Sequence, residues 1–292
     1  MKLWGITFLL LATTVFAQTR PSSSRPAPAI QKPLLIQEIH VSGTRSLDTA
    51  QLNEIIGPLN QAKVRSSDEI SQRLRLQFQN FGYLSVEVKS LQAKPLDPLA
   101  VPTPVAVEAE VSEGPRFRFG EIQFSGIHAL TAEQLKENFP IHTGEFFSRN
   151  KLGTGLEATR KAYAKLGYID MYSIPDMQVG ADIVSLTIEV TEGNQYRLAT
   201  LEFAGNPEAA EQLRPRWELG SGKPFDYSYV QQFLKENASL FPSTFDREKS
   251  VTVAKNCREN TVALFFELSP NHPNVVAPKD IDCGQDSKET KK

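Results

Sequence analysis

The chain is poor in the residues from which enzymes and metalloproteins build their sites. Its 292 residues include two cysteines, four histidines and three methionines. His40, His128, His142 and His272 share no ligand spacing with cysteine, aspartate or glutamate, so no zinc-type centre can be nominated. No glycine-rich phosphate cradle follows a strand to open a helix, and no Gly-x-Ser-x-Gly elbow occurs. Gly153-Thr154-Gly155 is a lone short glycine pair inside an expected helix, where each glycine costs about 1 kcal/mol against alanine. Charge of one sign is missing as well. Thirty-two basic residues face 34 acidic ones, for a formal net charge of -2, and they are scattered. Neither nucleic acid nor an anionic membrane surface is the expected partner. No catalytic residue, metal or cofactor is expected, and the chain does not read as an enzyme.

Long hydrophobic runs are also lacking. The one apolar stretch, Leu3 to Phe16, is shorter than the roughly 20 residues a bilayer span needs. With Lys2 ahead of it and Val15-Phe16-Ala17 behind, residues 1–17 read as a secretory signal cleaved after Ala17. An uncleaved anchor is the alternative. Residues 18–33, QTRPSSSRPAPAIQKP, have almost nothing to bury and are expected to form an extended spacer.

What is present is repetition. Residues 34–115, 116–195 and 196–270 each read strand, helix, helix, strand, strand, with a polar tail over 271–292. The first strands end at Gly43, Gly126 and Gly205, and those glycines recur at intervals of 83 and 79 residues. In the first unit, Asp48 caps a short helix, and a second helix buries Ile70, Leu74, Phe78 and Phe81 before Gly82 stops it. In the second, Thr131 and Gln134 form a capping-box pattern, and Gly167 ends the long helix carrying Tyr163 and Leu166. The four prolines of AKPLDPLAVPTP are expected to exclude ladder pairing and to mark a long hairpin loop. The third unit keeps its first strand but has FPSTFDREK where the others have Gly-Tyr. The fold class is therefore α+β, in tandem units whose three-stranded mixed sheet is covered by two helices.

At these residues the chain resembles the POTRA (polypeptide-transport-associated) domains. The hallmarks are a first strand ending in glycine, a Gly-Tyr after the second helix, and a last strand finishing in Val-x-Glu-Gly. The first unit has IHVSG, FGY and VSEG, the second FSG, LGY and VTEG, and the third FAG alone. Structural roles are expected for Gly82, Tyr83, Glu113, Gly114, Gly167, Tyr168, Glu192 and Gly193. The units join within a residue or two, at Gly114 to Arg116 and Gly193 to Tyr196, which leaves little slack.

The resemblance implies a periplasmic, non-catalytic arm. Such an arm binds unfolded outer-membrane polypeptides, or docks on an outer-membrane β-barrel assembly or secretion protein through which it meets the membrane. With 22 residues after Pro270, the barrel is expected on a separate chain. The alternative is an inner-membrane-anchored scaffold of the cell-division type. A small sheet has unpaired edges to which an extended peptide can add. The family's sheet order implies that the edges are Val86, Glu87, Val88 and Lys89, and Met171, Tyr172, Ser173 and Ile174. Export puts Cys257 and Cys283 where thiols tend to pair. An internal bridge pinning the tail is expected, against two free thiols or a link to another subunit.

Overall fold

The structure, a computed structural model, describes residues 32–269 and 276–283. The expected signal and the spacer up to residue 31 lie outside the described residues. β1 (Leu34–Ser42), α1 (Thr49–Ile56), β2 (Lys63–Val64), α2 (Ser67–Asn80), β3 (Glu87–Pro95) and β4 (Thr103–Ser112) form the first unit. The second comprises β5 (Arg118–Ser125), α3 (Ala132–Lys136), α4 (Arg149–Lys165), β6 (Tyr172–Val179) and β7 (Ile183–Thr191). The third comprises β8 (Arg197–Ala204), α5 (Pro207–Leu213), α6 (Tyr227–Glu236), β9 (Val251–Asn256) and β10 (Thr261–Glu267).

Local chemistry starts the helices. Asp48 accepts the N–H of Gln51 while the Gln51 side chain returns to the Asp48 N–H, and Thr131 and Gln134 repeat this reciprocal cap. Ser66, Ser148, Asn206 and Asp226 cap α2, α4, α5 and α6. Each helix pair then buries one face against its own sheet. Ile36, Leu74, Phe78 and Val107 lie in the first core, Phe119, Tyr163 and Leu186 in the second, and Leu198, Phe233 and Phe266 in the third. Each such side chain contributes about 1.5–3 kcal/mol through the water it leaves.

Sheet topology repeats across the units. The orders are β2-β1-β4-β3, β5-β7-β6 and β8-β10-β9. The last strand of each unit is central, parallel to the first strand and antiparallel to its predecessor. The first sheet thus exceeds the expected three strands by the two-residue β2, which pairs beside β1.

Two expectations are corrected. Pro95 and Pro104 lie inside β3 and β4, so the first hairpin loop shrinks to residues 96–102. An edge strand tolerates proline wherever the missing N–H would point away from the ladder, as it does at Pro95. In α4, Gly155 does more than occupy a tolerant position. A Cβ there would stand 2.1 Å from the Phe139 ring, so the helix needs glycine to approach that ring.

The third unit completes the same sheet without the Gly-Tyr. Trp217 stands at 5.0 Å from both Tyr229 and Phe233, and Phe241 packs on Phe245 at 4.4 Å and on Phe266 at 6.2 Å. Aromatic packing occupies the place where the other units turn at glycine. Part of the tail, residues 276–283, is placed against the third unit. Cys283 is bonded to Cys257, with an S–S distance of 2.02 Å, and Ile281 bridges to Asn256 in parallel.

Candidate functional site: the open sheet edges

Each sheet has one edge sealed by its own unit. The segment entering the second helix runs along the first strand. Ile36 donates to Ala62 at 3.0 Å, Phe119 to Glu145 at 2.7 Å, and Leu198 to Lys223 at 2.9 Å. The opposite edges are β3, β6 and β9. Along an antiparallel ladder, residues alternate between pairs that bond their neighbour and pairs that face outward, so one known bond fixes the rest.

In β3 the Leu96 N–H donates to the Pro104 carbonyl at 2.9 Å. Counting back, Lys94, Gln92 and Ser90 bond β4, whereas Pro95, Ala93 and Leu91 face outward. Leu91 and Ala93 therefore offer both a donor and an acceptor to an incoming strand. A register shift at Lys89 interrupts the ladder beyond them.

In β6 the Gly180 N–H donates to Ile183 at 2.8 Å, which turns Ser173, Pro175, Met177 and Val179 outward. Pro175 has no N–H, so the middle of this edge offers an acceptor alone. A groove of about 390 Å³ opens beside it, lined by Leu84, Phe147, Leu152, Leu156, Pro175 and Met177. Tyr172 and Ile174 are each 55% exposed on the strand.

The sequence-derived positions distribute unevenly over these edges. Glu87, Val88 and Lys89 start β3, and Tyr172, Ser173 and Ile174 start β6. Val86 and Met171 do not belong to an edge. Both precede their strands and are buried in the cores, with their N–H groups turned back to the carbonyls of Tyr83 and Tyr168. Leu91, Ala93 and Pro175 are outward-facing edge positions that the family's sheet order does not single out. The proline inside the run was the available signal for an edge strand.

The motif glutamates are fasteners. The Glu113 Oε1 accepts the N–H groups of Arg45 and Ser46 at 2.6 and 2.7 Å and the Ser46 hydroxyl at 3.2 Å. The Glu192 Oε1 accepts from His128 and Ala129 at 2.7 and 2.9 Å and from the Tyr163 hydroxyl at 2.9 Å. Burial alone would raise both carboxyls; these donors outweigh it and hold both below the usual carboxylate value. Burial, reinforced by Glu192, pushes the Tyr163 phenol up. Each glutamate thereby ties the end of the last strand to the loop leaving the first.

The Gly-Tyr pairs form the joints between units. Tyr83 and Tyr168 pack edge-on against Phe78 and Tyr163, at 6.0 and 5.9 Å. At the first joint Arg116 donates to the Phe81 carbonyl at 2.8 Å and lies over the Phe146 ring at 3.4 Å. At the second, Gln195 donates to the Leu166 carbonyl at 2.9 Å, and Lys255 meets Asp170 at 2.9 Å. Among the described residues no cluster of histidine, cysteine and carboxylate groups is placed to hold a metal ion. No described helix is long and apolar enough to cross a membrane.

Comparison with known proteins locates the architecture. Residues 117–193, the second unit, match the POTRA family, described as a surface antigen variable number repeat. A putative outer membrane protein assembly factor of Treponema pallidum (strain Nichols) is 29% identical over 195 residues, which are 62% of this chain and 22% of that protein. The match thus spans about a fifth of that relative's length. The crystal structure of Haemophilus influenzae BamA POTRA3-5 superposes with a TM-score of 0.57 at 18% identity, covering 83% of this chain and 98% of that one. The shared feature is the fold, a row of units each made of a small mixed sheet covered by helices.

Proposed function

We propose, for a chain built of POTRA-fold units and similar to an outer membrane protein assembly factor, that it is an exported periplasmic arm. It receives extended polypeptide segments at its open sheet edges during outer-membrane protein assembly or translocation. Its ligands are unfolded outer-membrane polypeptides, and its partner is an outer-membrane β-barrel assembly or secretion protein that brings it to the membrane. The observation supporting this reading is in the third unit, where an extended segment of this same chain already lies on the edge equivalent to β3 and β6. Backbone groups carry the affinity in such pairing, so many sequences can be accepted.

The reading also ranks the edges. β3 offers donors and acceptors at Leu91 and Ala93, while β6 offers an apolar groove but lacks the donor at Pro175. The test is amide exchange by NMR on the full chain, titrated with a short synthetic peptide of alternating apolar and polar residues. Protection of the Leu91 and Ala93 amides on binding is the expected result. Binding that protects no amide of β3 or β6 would overturn the reading.

A further inference from the structure

We infer that β9 is a third polypeptide-accepting edge, closed at its end, from Lys255 to Cys257, by the chain's own tail and locked there by the Cys257–Cys283 disulfide. The ligand class rests on the edge-pairing reading above; the closure rests on the contacts themselves.

The Glu267 N–H donates to the Ser250 carbonyl at 2.8 Å, which by alternation turns Val251, Val253, Lys255 and Cys257 outward. The tail takes the groups at the end of this row. Ile281 donates to the Lys255 carbonyl at 2.8 Å and accepts from the Cys257 N–H at 3.0 Å. The Asp280 carboxylate takes the N–H of Lys255 at 2.8 Å, standing in for a strand carbonyl. The lysine ammonium is held separately by Asp170 of the second unit, which fixes the end of β9 at the joint.

These few hydrogen bonds have little apolar burial behind them. Ile281 is 55% exposed and Val276 is 82% exposed, and the half-buried Ala277 and Pro278 are small, so the segment has little hydrophobic anchoring on the edge. Backbone pairing in contact with water exchanges readily for pairing with water. The covalent link to Cys257 is therefore what keeps the segment on the edge, by making its pairing intramolecular.

Reduction releases it. A protein dithiol attacks one sulfur of the bridge and forms a mixed disulfide. Its second thiol then attacks its own first sulfur in that mixed disulfide and expels the chain's cysteine, so two electrons and two protons have passed to Cys257 and Cys283, and the reductant leaves as its own disulfide. The freed edge then accepts an extended peptide running parallel to β9. That peptide supplies an N–H to the Lys255 carbonyl, a C=O to the Cys257 N–H, and a side-chain acceptor just before them for the Lys255 N–H. Aspartate or asparagine fits that last place.

The probe is a synthetic peptide of residues 276–283 carrying Cys283→Ser, added to the full chain and followed by amide exchange. In the oxidised protein, Cys257 and Ile281 amides stay slow and added peptide changes neither. After dithiothreitol, or with Cys257→Ser and Cys283→Ser together, the Ile281 amide exchanges at least about tenfold faster, and added peptide restores protection at position 257. Ile281→Pro, which removes one donor and keeps the bridge, speeds exchange at Cys257 without reduction. The proposal falls if Ile281 exchange is unchanged by reduction, if the peptide fails to restore protection, or if Leu264 in β10 loses protection together with Ile281. The Leu91 and Ala93 amides, read in the same titrations, separate the two ideas. A response at position 257 without one at β3 refutes the β3 assignment and keeps the lock, and the reverse keeps the assignment and refutes the lock.

Discussion

The carbonyl oxygen of Gly82 accepts the backbone N–H of Phe117 at 2.9 Å, across the boundary between the first and second units. The carbonyl of Gly167 accepts the N–H of Tyr196 at 2.9 Å across the next. Both glycines hold positive φ, +92° and +89°, and a Cβ on them would stand 2.8 Å from the Phe117 oxygen and 2.4 Å from the Tyr196 oxygen. One residue thus ends a helix and lets the following unit dock against its backbone. The spacing of the repeat and the stiffness of the joint have a common physical origin.

Substituting alanine at Gly82 or Gly167 forces a side chain into left-handed backbone and against the next unit's carbonyl. A loss of about 1–3 kcal/mol is expected for each, from backbone strain. Denaturant unfolding measures the loss. Small-angle scattering should show a wider spread of inter-unit angles; a variant as stable and as stiff as the parent would contradict the joint.

Proline scanning separates outward from ladder positions in β3. Ala93→Pro should leave the fold nearly intact and weaken peptide binding, because the lost N–H faces solvent. Gln92→Pro removes a bond to β4 and should cost roughly 3 kcal/mol. Conversely, Pro175→Ala restores the missing outward donor of β6, and peptide affinity at that edge should rise. Isothermal titration reads the affinities of Ala93→Pro and Pro175→Ala, and denaturant unfolding reads the stability of Ala93→Pro and Gln92→Pro.

Glu113 and Glu192 have folded pKa values below the unfolded value of about 4.3. Stability from a depressed carboxyl is complete above the unfolded value and is lost as pH falls through the folded one. Glu113→Gln and Glu192→Gln should therefore each cost about 1–3 kcal/mol at neutral pH, as hydrogen bonds to a charged acceptor are lost. The acid limb of the stability curve should flatten in both. Urea midpoints between pH 3 and about 7 check this; parallel curves for variant and parent would refute it.

The disulfide joins cysteines 26 positions apart in the sequence. On the chain-entropy model its reduction lowers the stability of the third unit by about 3–4 kcal/mol. The first two units, with cores of their own, should unfold unchanged. Calorimetry of oxidised and reduced protein resolves the difference, and a uniform shift of all transitions would count against it.

Periodicity and glycine spacing determined the repeat, the helix faces and the α+β class without any contact being known. The caps at Asp48 and Thr131 were equally local, since three residues suffice to define them. Gly82 and Gly167 were legible as helix ends, but their second role needs a carbonyl from a residue about 30 positions away. Val86 and Met171 looked like strand residues because apolar alternation runs through them, and only packing shows that they turn into the cores. Which backbone groups face outward depends on the pairing phase, set by a single bond such as Gly180 to Ile183. The signal-like pattern of residues 1–17 pointed to a compartment that favours pairing of Cys257 and Cys283, but nothing in the sequence put the tail on β9. That placement required the tertiary structure, because an edge is defined by the strands it lacks rather than by the residues it carries.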